Sequence, residues 1–354
     1  MCPVCDCRMA LFNKSPSPSS ARLPPVISTG DSIDDLAVEI LHRDTSPVHS
    51  DVALTEWDTW EVPPSEFRLD GKIGSGITAD VFRGLWRGTV VAIKQIKLSG
   101  GQGKMNPKII EAFKRELTVM VRCRHPNLVL FMGASTKVPP IQLISEFCEG
   151  GTLFDLLHNS PNIHLSWKQK VKILLDMAKG MNYLHSATPP IVHRDLKSLN
   201  VLLSERIDDE FDTPIVKIAD FGMAKIRENV PGANLMTANA GTYHWMAPEV
   251  LGGHSYTEKV DVYSFGIVMF EVLSRTIPFE ETGLDPMKIA KAVSKGLRPG
   301  LKFVPEGTPF ELSGLMQSCW QPGPEDRPTM NQIIDKLKLI RPLRPTAKPN
   351  DQNE

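Results

Sequence analysis

The 354-residue chain has no uninterrupted apolar run approaching the roughly 20 residues that cross a bilayer, so no segment reads as a transmembrane helix. It also lacks the charged start, apolar stretch and small-residue cleavage site of a secretory leader. Cysteine is scarce: of six, Cys123, Cys148 and Cys319 stand singly in the body of the chain. That scatter argues against a disulfide framework and suits reduced thiols in the cytosol or nucleus. Internal repeats are absent as well. What remains is the composition of a soluble globular protein, 41% hydrophobic and 23% charged, long enough for two lobes and a tail.

The net charge of −1 conceals an asymmetry. Residues 1–66 hold 4 Lys/Arg against 11 Asp/Glu (−7), and the remainder hold 36 against 30 (+6). An acidic tail can dock on a basic domain, although a solvated tail is the simpler reading. The first thirty residues are rich in Ser and Pro and read as disordered. Over 31–44, Ile33, Leu36, Ala37, Ile40 and Leu41 recur at helical spacing, and Ser32 with Asp35 resembles a capping box. The spacing predicts a short amphipathic helix inside a 1–56 segment, too short to be stable alone.

From Trp57 the texture changes. Val90–Ile93, Leu128–Phe131 and Gln142–Ile144 read as strands, interrupted by one helix near 107–121. Beyond Gly151 the periodicity turns helical: Val171, Leu174, Leu175, Ala178, Met181 and Leu184 form one stripe, and Ile267, Phe270, Glu271 and Leu273 fall in another run. The expected fold is α+β: a strand-rich N-lobe with one main helix (about 57–145), a hinge (146–151), a larger helical C-lobe (152–340) and a tail (341–354).

Several groups carry chemistry. Gly74-Ser75-Gly76 lies between two strands, where glycine lets backbone approach phosphates. In Val90–Lys94, alternation sets Ala92 and Lys94 on one strand face, and a lysine facing inward must meet anions. Pro107 suits the first turn of a helix on which Ile109, Phe113, Glu116 and Met120 share a face, so Glu116 needs a cation, for which Lys94 is the natural partner. The strongest pattern is His193-Arg194-Asp195-Leu196-Lys197-Ser198-Leu199-Asn200 followed by Asp220-Phe221-Gly222. Phosphoryl transfer asks for charge neutralisation and positioning more than covalent help. Asp195 can accept a hydroxyl hydrogen, Lys197 can neutralise a moving phosphoryl group, and Asn200 and Asp220 offer the oxygen ligands Mg²⁺ prefers.

Together with Ala247-Pro248-Glu249, these motifs resemble the eukaryotic protein kinase family over roughly 60–340, with Ala79 at the family's third loop glycine. The resemblance implies the two-lobed kinase fold, ATP between the lobes and two Mg²⁺ sites, with Mn²⁺ able to substitute. It places Ile73, Gly74, Ser75, Gly76, Val81, Ala92, Lys94 and Leu202 around the nucleotide, Glu146 and Cys148 at the hinge, and Ser145 as a small gatekeeper with an open pocket behind the adenine. It makes Asp195, Lys197, Lys94 and Glu116 catalytic, and Asn200 and Asp220 metal ligands. Phe221, Gly222, Thr242, Glu249, Asp261 and Arg327 become structural: Asp261 ties down the catalytic-loop backbone and Arg327 pairs with Glu249. Met120, Phe131, His193 and Phe221 would stack into one spine.

Lys197 and Gly241-Thr242 resemble Ser/Thr kinases, while Trp245–Glu249, Asp261–Gly266, Cys319-Trp320 and the Trp60–Pro63 lead-in have a tyrosine-kinase flavour. The blend is similar to the tyrosine-kinase-like group, with its Raf, mixed-lineage and plant Raf-like members. The implied activity is a cytoplasmic Ser/Thr kinase in a signalling cascade, acting on protein substrates and not on nucleic acid. Arg194 implies activation-loop phosphorylation by an upstream kinase or by trans-autophosphorylation, with Thr237 preferred over Tyr243 as acceptor. Cys2, Cys5 and Cys7 admit a metal site lacking a nearby fourth ligand, S-acylation with peripheral membrane contact, or plain disordered thiols, the default. The rival readings are a pseudokinase scaffold, tyrosine or dual specificity, and an N-terminal binding module to which the kinase is secondary.

Overall fold

A computed structural model of the chain describes residues 60–76, 78–97, 107–226 and 243–340. The expected 31–44 helix, Cys2, Cys5, Cys7, Thr237 and Thr242 lie outside the described residues. The chain divides into two compact units. The smaller takes residues through Lys114 together with Phe131–Phe147, and the larger takes Arg115–Leu130 and Cys148 onward.

The smaller unit is built on a five-stranded antiparallel sheet ordered β1-β2-β3-β5-β4. Its strands are β1 (Phe67–Ser75), β2 (Ala79–Trp86), β3 (Thr89–Ile96), β4 (Phe131–Ser135) and β5 (Gln142–Glu146). The period-2 alternation of β3 buries Val91 and Ile93, which with Val62 and Ile144 form a core against Phe67, Phe82, Trp86 and Met132. Each such fully buried side chain contributes about 1.5–3 kcal/mol. The alternate residues Ala92 and Lys94 stay half-buried. The Trp60–Pro63 lead-in extends this sheet: Val62 donates to the Ala134 carbonyl (2.8 Å) and Ala134 to that of Trp60 (3.0 Å). Glu61 accepts from the Thr136 amide (2.9 Å) and hydroxyl (2.8 Å), which fixes the turn leaving β4.

The helix expected after Asn106 is α1 (Pro107–Arg122). Its later part groups with the larger unit, and so does the 123–130 turn, rather than with the small lobe as a whole. The hydrogen bonds explain the turn's place: Asn127 Nδ2 donates to Val216 O (2.9 Å) and Val129 N to Ile218 O (2.9 Å). For the same reason Leu128–Leu130 are not part of the expected strand. Leu128 forms only an isolated bridge with Ile218, and β4 begins at Phe131.

The larger unit is mostly helical. Its helices are α2 (Trp167–His185), α3 (Pro248–Leu251), α4 (Lys259–Ser274), α5 (Pro286–Ser294), α6 (Phe310–Cys319) and α7 (Met330–Leu339). Ser166 and Gln169 form a capping box at the start of α2, Thr329 and Gln332 another at α7, and Asp285 caps α5 ahead of Pro286. The stripe expected on α2 shifts: Ile173 and Met177 are buried, while Val171 and Leu175 are half-buried. Helix α4 is buried all round from Val260 to Leu273, so it has no polar face to read as a stripe. Short strands β6 (Ile191–Val192), β7 (Val201–Leu203), β8 (Val216–Ile218) and β9 (Lys225–Ile226) pair as β6–β9 and β7–β8. They flank the catalytic-type segment. Gly150 is needed where the chain passes β7, since a Cβ there would lie 2.2 Å from the Glu205 carbonyl oxygen.

Candidate active site

In the larger unit, the segment between β6 and β7 hangs from one buried carboxylate. Asp261, fully buried near the start of α4, accepts the backbone N–H groups of His193 (2.9 Å) and Arg194 (2.8 Å), and its Oδ2 lies 2.8 Å from His185 Nε2. These bonds hold its carboxyl below the ordinary value although burial works the other way. Arg194 is held at φ 66°, a left-handed backbone unusual for a residue with a side chain. Its guanidinium donates to the Tyr256 hydroxyl (2.9 Å).

His193 is completely buried. Its Nε2 faces the Ala219 carbonyl (3.1 Å) and its Nδ1 accepts the Asp195 amide (3.3 Å), a pair satisfied by the neutral ring protonated on Nε2. His193 also meets the Phe221 ring edge-on at 5.4 Å. Ala219 in turn donates to the Asn200 carbonyl (2.9 Å). Two bonds through one residue therefore seat Asp220 beside the 193–200 loop.

Within that loop, Lys197 Nζ lies 3.1 and 2.9 Å from the two carboxylate oxygens of Asp195. Asn200 Nδ2 donates to Asp195 Oδ2 (2.9 Å) and to its backbone carbonyl (2.8 Å). The Asp195 carboxylate is only 12% exposed, and the side-chain amide of Asn200 keeps its oxygen available. Asp220 is exposed and left-handed (φ 65°), and its side chain accepts the Gly222 amide (3.3 Å). No group of three His, Cys, Asp or Glu among the described residues is arranged to hold a metal unaided. The oxygens of Asn200 and Asp220 are of the kind Mg²⁺ prefers, an ion that commonly takes its other ligands from water and phosphate.

The larger unit has another buried carboxylate that binds the catalytic-type loop, one that the sequence places in a helical run without a role. Glu271 of α4 is fully buried. It accepts Ser198 Oγ (2.7 Å) and Trp245 Nε1 (2.7 Å), and sits 3.2 Å from His158 Nε2. It joins the catalytic-type loop to the Trp245–Glu249 segment. The clue available in the sequence was a carboxylate on an otherwise apolar helix. Glu249 receives both Nη atoms of Arg327 (2.7 and 2.9 Å), and the guanidinium also donates to the carbonyls of Gln321, Lys259 and Pro322. On α1, Phe113, Glu116 and Met120 are all buried. Leu202 on β7 is half-buried, and Cys148 is buried.

In the smaller unit, the Gly74–Gly76 turn closes with a bond from Gly76 N to Ala79 O (2.8 Å). Neither glycine adopts a positive φ. A Cβ at Gly74 would meet nothing closer than Val81 at 3.6 Å, and one at Gly76 nothing closer than Ala79 O at 3.5 Å. Their missing side chains are not required by this chain's own packing. Sequence reasoning missed the brace behind it. Asp80 binds Lys72 (2.8 Å), Ser75 Oγ (2.7 Å) and Lys97 (3.2 Å), and Lys72 foremost, then Ser75, hold its carboxyl down at about 2. On the sheet, Lys94 stands opposite Val81 and Leu143, and Ala92 opposite Ser145. Ile73, Val81, Ala92, Ser145 and Glu146 are half-buried.

A family profile described as "Protein tyrosine and serine/threonine kinase" matches residues 67–337. The chain belongs to that kinase family. A Dictyostelium discoideum protein named as a "probable serine/threonine-protein kinase" is 42% identical over 281 residues, covering 79% of this chain and 28% of the relative. The Arabidopsis thaliana "Serine/threonine-protein kinase STY17" is 35% identical over 298 residues, covering 84% of this chain and 48% of the relative. The Dictyostelium "probable serine/threonine-protein kinase drkA" is 37% identical over 284 residues, 80% of this chain and 41% of that one. The chain spans less than half the length of these relatives. The family uses ATP with a divalent metal and acts on protein substrates. No helix among the described residues is long and apolar enough to cross a membrane.

Proposed function

We propose that the chain is a protein serine/threonine kinase of the tyrosine-kinase-like group that transfers the γ-phosphate of Mg-ATP to Ser/Thr hydroxyls of proteins in a signalling cascade. The observation that carries this reading is the Asp195 carboxylate, held by Lys197 and Asn200 in a loop whose backbone hangs from Asp261. When bound, Mg-ATP supplies the phosphoryl group and the metal charge that offsets its oxygens. Gly74, Ser75 and Gly76 offer backbone to the phosphates, while Ile73, Val81, Ala92 and Leu202 supply apolar surface for the adenine. Glu146 and Cys148 offer backbone hydrogen bonds to its edge, and Ser145 leaves room for bulky inhibitors. Lys94 neutralises phosphate charge with Glu116 as its counter-ion, and Asn200 and Asp220 serve as ligands for two Mg²⁺, or Mn²⁺ in their place. Asp195 orients the attacking hydroxyl and takes its hydrogen. Lys197 neutralises the oxygens in transfer and favours Ser/Thr acceptors, a preference that the relatives' names support.

The test is transfer of label from γ-labelled ATP to a peptide array by wild type and Asp195→Asn, followed by phosphoamino-acid analysis. Labelled serine and threonine are expected, falling by about 100-fold or more in the variant. Incorporation that is the same in both proteins overturns the catalytic assignment. Its absence in both, under several metals and substrates, favours a scaffold of the same fold. Labelled tyrosine as the main product overturns the specificity.

A further inference from the structure

On the larger unit, the end of α1, the C-terminal half of α2 and the chain leading into β6 enclose a groove of about 550 Å³. That volume is within the usual range of ligand sites. Arg122 and Lys179 line it with positive charge beside the His125 ring, over an apolar floor that includes Tyr183, Ile191 and Ile334. Neither aspartate nor glutamate occurs among the described residues that line it. The carboxylate that faces Lys179 is Asp176. It is bound by Lys172 at 2.5 Å and is only 3.9 Å from Lys179, so it leaves the lysine loosely held. Tyr183 packs against the His125 ring at 5.2 Å, and its hydroxyl accepts the Arg124 amide (3.2 Å), so this wall is braced. Burial, then Lys179 and Lys217, hold the His125 imidazole below its ordinary value, while Asp176 works the other way. The groove is thus electropositive, and none of it belongs to the phosphate-transfer machinery.

The complementary chemistry is carried by this same chain. Residues 31–44 contain Asp31, Asp34, Asp35, Glu39 and Asp44 against the single cation Arg43, together with Ile33, Leu36, Ile40 and Leu41. The fifteen residues 45–59 that join them to the first described residue reach about 50 Å when extended. We propose that the groove bordered by Arg122, His125 and Lys179 is a docking site for the acidic, apolar 31–44 segment of this protein. Its carboxylates meet the two cations Arg122 and Lys179, with the His125 ring as a polar neighbour, and its aliphatic side chains cover the Tyr183–Ile191–Ile334 floor. This proposal does not depend on the phosphotransfer reading, and none of its residues is assigned a part in catalysis.

The test uses the full chain. Hydrogen exchange measured by mass spectrometry is expected to show residues 31–44 and 179–189 protected together at low ionic strength. A zero-length carbodiimide cross-link is expected to join Lys179 to a carboxylate of 31–44. Lys179→Glu, Arg122→Glu, or Asp34→Lys with Asp35→Lys should each speed exchange of the segment by about tenfold. Arg122→Glu lies on a different element, which separates the result from the contact between Lys179 and Asp176. Combining Lys179→Glu with Asp34→Lys and Asp35→Lys should restore the protection. A cross-link that spans a labelled and an unlabelled copy supports the same groove and segment, supplied by a second molecule. Fully unprotected exchange of 31–44 in wild type with no such cross-link overturns the proposal, as does a cross-link from Lys179 only to a different acidic partner.

Discussion

At the scale of single residues, the site is governed by buried acceptors that lie outside the reacting loop. Glu271 offers two oxygens to three donors, Ser198, Trp245 and His158. A glutamine there would turn an amide N–H₂ toward one of these donors, and a buried unsatisfied group of that kind costs about 1–3 kcal/mol. Glu271→Gln is therefore expected to lower the denaturation midpoint and shift the Trp245 emission, with a fall in kcat that exceeds any change in the ATP KM. Denaturant titration, fluorescence and steady-state kinetics check these three effects. The candidacy of Asp195, Lys197, Asn200 and Asp220 was legible from sequence, in their spacing. Glu271 was not: His158 lies 113 positions away from it, and no local pattern announces that contact.

At the scale of elements, two ionic features differ in sign. The Glu249–Arg327 pair joins α3 to the chain entering α7, and every guanidinium nitrogen has an acceptor. Removal of one partner leaves a buried charge without compensation, so Arg327→Ala should cost about 3–5 kcal/mol, read from urea midpoints. Lys170, on the first turn of α2, works in the opposite direction. Burial foremost, then Arg275, pushes its ammonium down to about 8 from the ordinary 10.5. Below about pH 8 the folded state carries the cost of that buried charge. Between there and the ordinary value the unfolded chain holds the proton and the folded chain does not, so stability gains as pH rises. Relative to Lys170→Met, wild type should gain stability from pH 8 to pH 10, and parallel urea midpoints at both values test it. Element positions followed sequence signals where these were local: Pro107 opens α1, and β3 lies over its β-branched run. They departed where tertiary bonds intervened, as at Leu128 and Val129, which pair with Ile218 on β8.

At the scale of the whole molecule, the kinase domain is accompanied by an acidic N-terminal segment and by an activation-loop residue, Thr237, outside the described residues. In the proposed kinase reading a phosphate on Thr237 would take Arg194 as its cation; in this structure that guanidinium donates to the Tyr256 hydroxyl. Thr237→Ala is expected to lower activity toward a generic substrate by about tenfold or more, since a charge-assisted contact of this kind orders the loop that carries it. An unmutated rate in the purified variant would remove Thr237 as the switch. Phosphopeptide mapping of the wild type shows in parallel whether that site is occupied.

The amino-acid order alone nominated the residues proposed to serve phosphoryl transfer, and it set strands before helices. Both are local properties, written in spacing, periodicity and turn chemistry. What only the folded chain decided is which polar groups become buried acceptors for which donors. Asp261 collects the His193 and Arg194 amides across more than sixty positions, Glu271 gathers three donors, and Glu61 braces the turn after β4. Desolvation makes such a pairing obligatory once the groups are enclosed. Their enclosure depends on how distant segments pack, which no window of sequence contains.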